Sequence, residues 1–465
     1  MVLMAGNSRN KPRKPAKDDA RASEPALKPG LAARIVAARI LGAVIDKRTP
    51  LDGMLDAEHG NPAYRALGEA DRALVRAIVH SSLRHLPQLE AMISALLQTP
   101  LPDGARALQH VLVTAAAQIV HLDVPDHSAV DLAVEQAHGD PRNRRFANLV
   151  NAVLRRLSRE KDALLETIAA NTPALPRWLM ERLVAQYGAA AADAIGKAVA
   201  EPAALDLTVK GDAASWAARL GGRLLPTGSV RLGAVSGPVT ALAGFAEGDW
   251  WVQDAAAALP ARLFGALEGK RVVDLCAAPG GKTAQLVMAG ASVTALDLSA
   301  NRLRRLEGNL ARLGLTATLL KADAARFETE DLFDGVLLDA PCSSTGTLRR
   351  HPDIPWTKTP EDIETLALLQ ERLLRHALAL VVPGGRVVFA NCSLDTREGE
   401  DVTARVLADT PGIARVPIAP RDWPGLEQAI TPLGEFRTTP AMIAAEDGFA
   451  GGMDGFYAVV LRRTA

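Results

Sequence analysis

Cysteine is scarce in this sequence: three in 465 residues, Cys276, Cys342 and Cys392. A disulfide framework needs several pairs and an oxidising compartment, so none is expected, and three thiols cannot all pair with one another. No C-x-x-C and no nearby histidine pair accompanies them, so no metal site is expected. Long apolar runs are missing too. Nothing approaches the roughly 20 consecutive apolar residues of a membrane span, which argues against a membrane partner. The opening MVLMAGNSRNKPRKPAK lacks the apolar stretch of about 7–15 residues that follows the charges of a secretory signal, so the expected location is the cytoplasm. Net charge is absent as well: 53 basic residues balance 53 acidic ones, and the chain as a whole is no polycation.

What is present is the composition of a globular protein, 48% hydrophobic and 23% charged, with a length that suggests roughly three units of about 150 residues. Locally the charge is uneven. Residues 141–161, PRNRRFANLVNAVLRRLSREK, hold Arg142, Arg144, Arg145, Arg155, Arg156, Arg159 and Lys161 against Glu160 alone, a net +6 over one expected helix and its approach. Such a face is either merely solvated or a nucleic-acid contact.

Residues 1–28 mix Lys, Arg, Pro and Ala with hardly any large apolar group; they cannot bury enough surface to offset their ordering entropy, and a disordered basic tail is expected. From 29 to 165 apolar residues recur at helical spacing, as in Leu31, Ile35, Ala38 and Leu41, then Leu74, Ile78 and Leu83, then Leu108, Leu112, Ile119 and Val120. Strand signals are absent, so an all-helical bundle is expected. Residues 166–250 read as a small α+β connector, with PRWLMERLVAQYG as a helix and ALDLTVK and VSGPVTAL as strand candidates. From 251 to 465 short apolar strands alternate with helices: RVVDLC, SVTALD, ATLLKAD, FDGVLLDA and GGRVVFANCS, then a final FYAVVLRR. That alternation is the mark of a parallel, doubly wound α/β sheet, a Rossmann-like fold.

Ligands of such sheets sit beyond the carboxyl ends of the strands, so the residues there carry the information. The first strand runs into DLCAAPGGKT (274–283), where Gly280 and Gly281 let a ligand approach the backbone at a helix start. A phosphate loop would need glycine at position 276, which is Cys276, so a nucleotide triphosphatase is disfavoured. The second strand ends at Asp297, placed to accept from ribose hydroxyls; the glycine fingerprint of a dehydrogenase is missing. Asp323 follows the third strand, where it could face an adenine amino group. These features fit a nucleoside ligand without pyrophosphate, as S-adenosylmethionine is. Asp339 and Cys342 follow the fourth strand in DAPCSSTGTLRRHPDIPW, and Cys392 follows the fifth in FANCS. Each cysteine alone could be core packing. Two of three at adjoining strand ends point to thiolate chemistry, since cysteine is the side chain best suited to attack an electron-poor ring carbon near neutral pH.

DLCAAPGGKT, DAPCSSTGTLRRHPDIPW and NCS resemble the motifs of the Nop/Sun family of RNA cytosine-5 methyltransferases. The helical region, through DVPDHSAVDLAVEQA (123–137) and FANLVNAVLRRL (146–157), resembles the NusB-like domain that bacterial ribosomal-RNA members carry in front. The resemblance covers about residues 30–462. It implies a NusB-like RNA-binding domain, a connector and a class I methyltransferase domain, with S-adenosylmethionine as cofactor. It implies that Cys276, Ala277, Ala278, Pro279, Gly280, Gly281, Lys282, Asp297, Asp323 and Asp339 line the cofactor pocket, that Cys392 is the nucleophile, and that Cys342 helps release product. DNA cytosine-5 methyltransferases use the cysteine of a Pro-Cys pair, which would select Cys342 instead; the S-x-x-T-G context and the cysteine of NCS favour the RNA arrangement. Two departures stand out: Asn391 where the family usually has Thr, and Thr396–Arg397 in place of a common Pro-Glu.

On this reading the thiolate of Cys392 adds to carbon 6, which makes carbon 5 nucleophilic enough to take a methyl group, and Cys342 or a water it holds removes the carbon-5 proton. Asp339 would hydrogen-bond the cytosine edge or the cofactor. Ribosomal RNA is the expected partner and a monomer the expected state. Transfer RNA as substrate, and a NusB-like assembly factor with an incidental catalytic half, are the competing readings.

Overall fold

The computed structural model describes Val2 and residues 28–235 and 237–464, so the expected basic tail lies almost wholly outside the described residues. The first body is helical: Leu31–Lys47, Glu69–Arg84, Leu86–Leu96, Arg106–His121, Asp126–Gly139 and Ala147–Thr167 are its main helices. Its core is the set of positions that the helical spacing marks out, with Leu31, Ala38, Leu41, Ile78, Leu83, Leu108, Leu112 and Ile119 buried. Ile35, Leu74 and Val120 are half-buried at its margin.

The connecting region holds three helices, Arg177–Tyr187, Ala189–Ala200 and Ala213–Leu220, and a four-stranded antiparallel sheet. Its strands are β1 (Leu205–Val209), β2 (Arg223–Leu224), β3 (Val230–Leu232) and β4 (Trp250–Val252), in the order β2-β3-β1-β4. ALDLTVK forms β1 as expected. VSGPVTAL does not form a strand: Val239–Ala241 is a 3-10 turn, because Pro238 offers no N–H to a ladder and Gly237 stands at φ 91°. The alanine-rich second helix, unforeseen from the sequence, packs Ile195 and Val199 beside Leu179 and Leu183.

The last body is a twisted sheet of β5 (Arg271–Asp274), β6 (Ser292–Asp297), β7 (Thr318–Lys321), β8 (Phe333–Asp339), β9 (Val381–Asn391), β10 (Ile413–Arg415), β11 (Phe436–Thr438) and β12 (Phe456–Arg463). The order is β10-β12-β9-β8-β5-β6-β7, with β11 also on β12. Strands β5 to β9 are parallel, as the alternating sequence implies, and β12 joins β9 antiparallel. The strand order reverses between β5 and β8, which opens a crevice at their carboxyl ends. The helical body docks close by. Trp356 Nε1 donates to the Leu83 carbonyl at 3.2 Å, Arg84 to the Arg349 carbonyl at 2.7 Å, and the Leu51 N–H to Asp353 at 3.0 Å.

Candidate active site

One side of the crevice is made of backbone. After Asp274 the chain turns through 275–280 and enters the helix Gly281–Met288. Gly280 sits at φ 104°, and a Cβ there would lie 2.9 Å from Leu306 Cγ, so no other residue fits without displacing that buried leucine. The loop is tied to β6: the Ala277 N–H donates to the Leu296 carbonyl at 2.8 Å, and the Ala278 N–H to Asp297 Oδ2 at 3.4 Å. Asp297 is 3% exposed; it also accepts from the Ser299 N–H at 2.9 Å and faces Arg302 at 3.3 Å. Thr283 donates to Asp274 Oδ2 at 2.7 Å, while Oδ1 of that buried carboxylate has no partner. Burial pushes the Asp274 carboxyl up to about 7.

The other side is made of side chains. Cys342 Sγ and Cys392 Sγ lie 3.4 Å apart, brought together by the adjacent ends of β8 and β9. The hydrogen bond with Cys342 holds the Cys392 thiol below its ordinary value, with Ser344 and the Lys282 charge acting in the same direction and burial and Asp339 opposing. The same contact, with burial, pushes Cys342 well above. The pair is therefore unequal: Cys392 gives up its proton more readily than Cys342. Behind them Glu398, fully buried, accepts from the Ser343 N–H at 2.8 Å, the Ser343 hydroxyl, the Ser393 hydroxyl at 2.6 Å and Gln370 at 3.0 Å. Asn391 donates to the Glu398 carbonyl at 2.6 Å and accepts from the Ser393 N–H at 3.0 Å. The first departure from the family pattern thus has a structural task of its own. Gly346 completes this side: its N–H donates to the Cys392 carbonyl at 2.8 Å and its carbonyl accepts from Gly455 at 2.8 Å. A Cβ at 346 would meet the Gly455 oxygen at 1.9 Å.

Between the two sides lies a cavity of about 450 Å³, within the range of small-molecule sites. Of the residues singled out in the sequence, Cys276 to Lys282, Asp339 and Cys392 line it. Lys282 and Asp339 are joined at 2.6 Å, and Lys282 lies 4.9 Å from the Phe456 ring. Asp297 stands behind the loop. Cys342 stands behind Cys392. The structure does not bring Asp323 to the cavity: it is exposed and faces Arg326 at 3.8 Å. Sequence reasoning passed over Asp274, Arg350, Glu398 and Asp454. A signal for Glu398 existed, since each reactive cysteine is followed by a serine and both serines converge on that acid.

A glycine loop at the switch point of an open α/β sheet, opposite two acids and a pair of cysteines, defines a class I methyltransferase. S-adenosylmethionine fits what is there: its sulfonium and ammonium charges would meet Asp339 and the unpartnered oxygen of Asp274, both of which line the cavity. The comparisons with known proteins agree. Residues 262–460 match the family described as 16S rRNA methyltransferase RsmB/F, and residues 31–159 match the NusB family. The chain is 34% identical to Ribosomal RNA small subunit methyltransferase B of Klebsiella pneumoniae over 426 residues, 86% of this chain and 97% of that protein. It is 34% identical to the protein of the same name from Vibrio vulnificus over 450 residues, 93% of this chain and 99% of that one. A solved methyltransferase homolog protein from Pyrococcus horikoshii covers 61% of this chain and 93% of its own length, with a TM-score of 0.51 at 26% identity. The chain belongs to the RsmB/F family of ribosomal RNA methyltransferases, with a NusB domain in front, and S-adenosylmethionine is its methyl donor.

Proposed function

We propose that the chain methylates carbon 5 of a cytosine in small-subunit ribosomal RNA, with Cys392 as covalent nucleophile and Cys342 as the group that serves release. The observation that carries this reading is the unequal pair of thiols 3.4 Å apart, of which Cys392 lines the cavity. Cys392 adds to carbon 6, which breaks the 5,6 double bond and makes carbon 5 nucleophilic. The donor supplies the methyl group. A base then takes the carbon-5 proton and the sulfur–carbon bond breaks; Cys342, or a water it holds, is placed to do so. The target base must leave its stack for the thiolate to reach the ring face.

In this reading residues 29–165 engage RNA, 166–250 connect, and 251–465 carry the chemistry, in a cytoplasmic monomer that requires no metal. The +6 segment supports RNA engagement less than its composition suggests. Arg142 pairs with Asp140, Arg155 with Asp131, Arg156 with Glu160 and Lys161 with Asp126. Arg144, Arg145 and Arg159 form no ion pair among the described residues, so they are the ones left to meet phosphates.

The test is a denaturing gel with labelled ribosomal RNA and S-adenosylmethionine. Cys392→Ala is expected to give neither methylation nor a shifted band. Cys342→Ala is expected to give a shifted band, protein held on its RNA. A band only in Cys392→Ala would exchange the two roles, and full activity in both variants would refute covalent catalysis.

A further inference from the structure

Within the segment 348–356, the residues flanking Arg350 are occupied elsewhere. Arg349 donates to the Pro202 and Gly451 carbonyls, both at 2.9 Å, and its own carbonyl is taken by Arg84. His351 faces Asp52 at 3.4 Å, and Asp353 accepts from the Leu51 N–H. Arg350 alone among these four turns into the cavity, beside Thr347, Cys392, Asp339 and Lys282. One corner of its guanidinium, Nη2, is held by Asp454, whose side chain is 1% exposed. Asp454 is itself fixed: its N–H donates to Asp254 Oδ1 at 3.0 Å, and its carbonyl accepts from Thr438 at 2.8 Å. The Arg350 Nε is buried without a partner. Of the other two acids of this cluster, Asp254 accepts from the Ala256 and Asp454 N–H groups and Asp206 forms a two-point pair with Arg231 at 2.7 and 2.8 Å. A guanidinium with five N–H donors thus spends one on a fixed carboxylate and keeps others beside the thiolate.

Chemistry supplies the use. When the Cys392 sulfur bonds to carbon 6 of cytosine, the π pair of the 5,6 bond moves to carbon 5 and is shared through carbon 4 and N3 with the carbonyl oxygen O2. A preorganised cation at O2 lowers the cost of that charge and loses no proton itself. We propose that Arg350 is a further catalytic residue, donating to O2 of the target cytosine during thiolate addition, and that Asp454 is its positioning residue. The proposal rests on the reading of Cys392 as nucleophile.

The experiment uses the full chain, RNA carrying 5-fluorocytidine at the target position, and S-adenosylmethionine, with the covalent band timed under single-turnover conditions. Removing one such donor costs on the order of 10²–10³ in rate, which is the slowing expected for Arg350→Gln, with RNA and donor affinities unchanged. Asp454→Asn is expected to slow the band by about tenfold, since it loosens Arg350 without removing it. Arg350→Lys keeps the ion pair with Asp454 and guards against misfolding; it should still be slow, because a single ammonium cannot serve Asp454 and O2 through a planar fork. Wild-type rates in Arg350→Lys and Arg350→Gln would overturn the assignment. Weaker RNA binding with an unchanged single-turnover rate would overturn it too, making Arg350 a phosphate anchor. No band from the wild type itself would instead defeat the covalent reading beneath it.

Discussion

The two sides of the cavity are built by different means. The donor side is main chain from one contiguous stretch, 274–302, shaped by Gly280 and stitched to β6. The thiol side is a net of side chains, drawn from segments near 343, 370, 393 and 398, that hold one another in the interior. A main-chain wall depends on glycine and tolerates many neighbouring side chains. A buried polar net fails as a unit when one member is lost.

The largest effect should follow an attack on that net. Glu398→Ala strands the Ser343 N–H and takes an acceptor from the Ser343 and Ser393 hydroxyls and the Gln370 amide, and a buried group left unpaired costs about 1–3 kcal/mol. Covalent-band formation should disappear and Tm fall by several degrees, while calorimetry finds donor affinity nearly unchanged. Loss of donor binding along with the thiol chemistry would erase the distinction between the two sides. Next, Asp297→Ala removes a buried acceptor from the donor side. A hydrogen bond to a charged group contributes about 1.5–3 kcal/mol, so the donor Kd should rise roughly 10–100-fold. At saturating donor the thiol chemistry should keep its rate; a slowed rate there would show that the loop shapes both sides.

Trp356→Ala tests a smaller link, the docking of the helical body on the segment that carries Arg350. Turnover is expected to fall by about tenfold, the scale of one lost hydrogen bond and its packing. The salt dependence of RNA affinity should not change, because Trp356 touches Leu83 rather than RNA. A changed salt slope would place RNA at that interface. The smallest effect concerns Asp274. Its folded value, about 7 against an ordinary 3.8, means that the folded protein holds this proton more tightly than the unfolded chain. The group's contribution to stability is therefore complete below pH 3.8 and is lost as pH rises through about 7. Tm should decline less steeply across that window in Asp274→Asn than in the wild type. Parallel Tm profiles would mean that Asp274 does not titrate there.

The sequence is most legible where function is held by contiguous text. The loop 276–282 could be read directly, because glycine after a strand has few other uses. The five parallel strands could be read from their apolar runs. The helical body followed from spacing, since its core positions recur every three to four residues. What escaped was assembled across distance. Glu398 looks like any acid before a helix until β8 and β9 bring Ser343 and Ser393 to it. Arg350 looks like one of two adjacent arginines until Arg349 is seen to be spent on carbonyls. Asp323 follows β7 as its place in the sequence suggested, but it is exposed beside Arg326 and outside the cavity lining. Part of the charge of the basic segment 141–161 is matched by acids that lie outside it, Asp126, Asp131 and Asp140, on or just after the preceding helix.

The meeting of Gly346, Cys392 and Gly455 also bears on the order in which the molecule becomes itself. The turn of the donor loop is held by Asp297, Arg302 and Leu306, within about thirty positions of it, whereas these three backbones close only after long stretches of chain have found one another, and contacts of that separation are slow to form. Cys392 acquires its reactive character from Cys342, across that same junction. If Cys392 is the nucleophile proposed above, it meets the partner proposed to serve release only when the ends of β8 and β9 have come together.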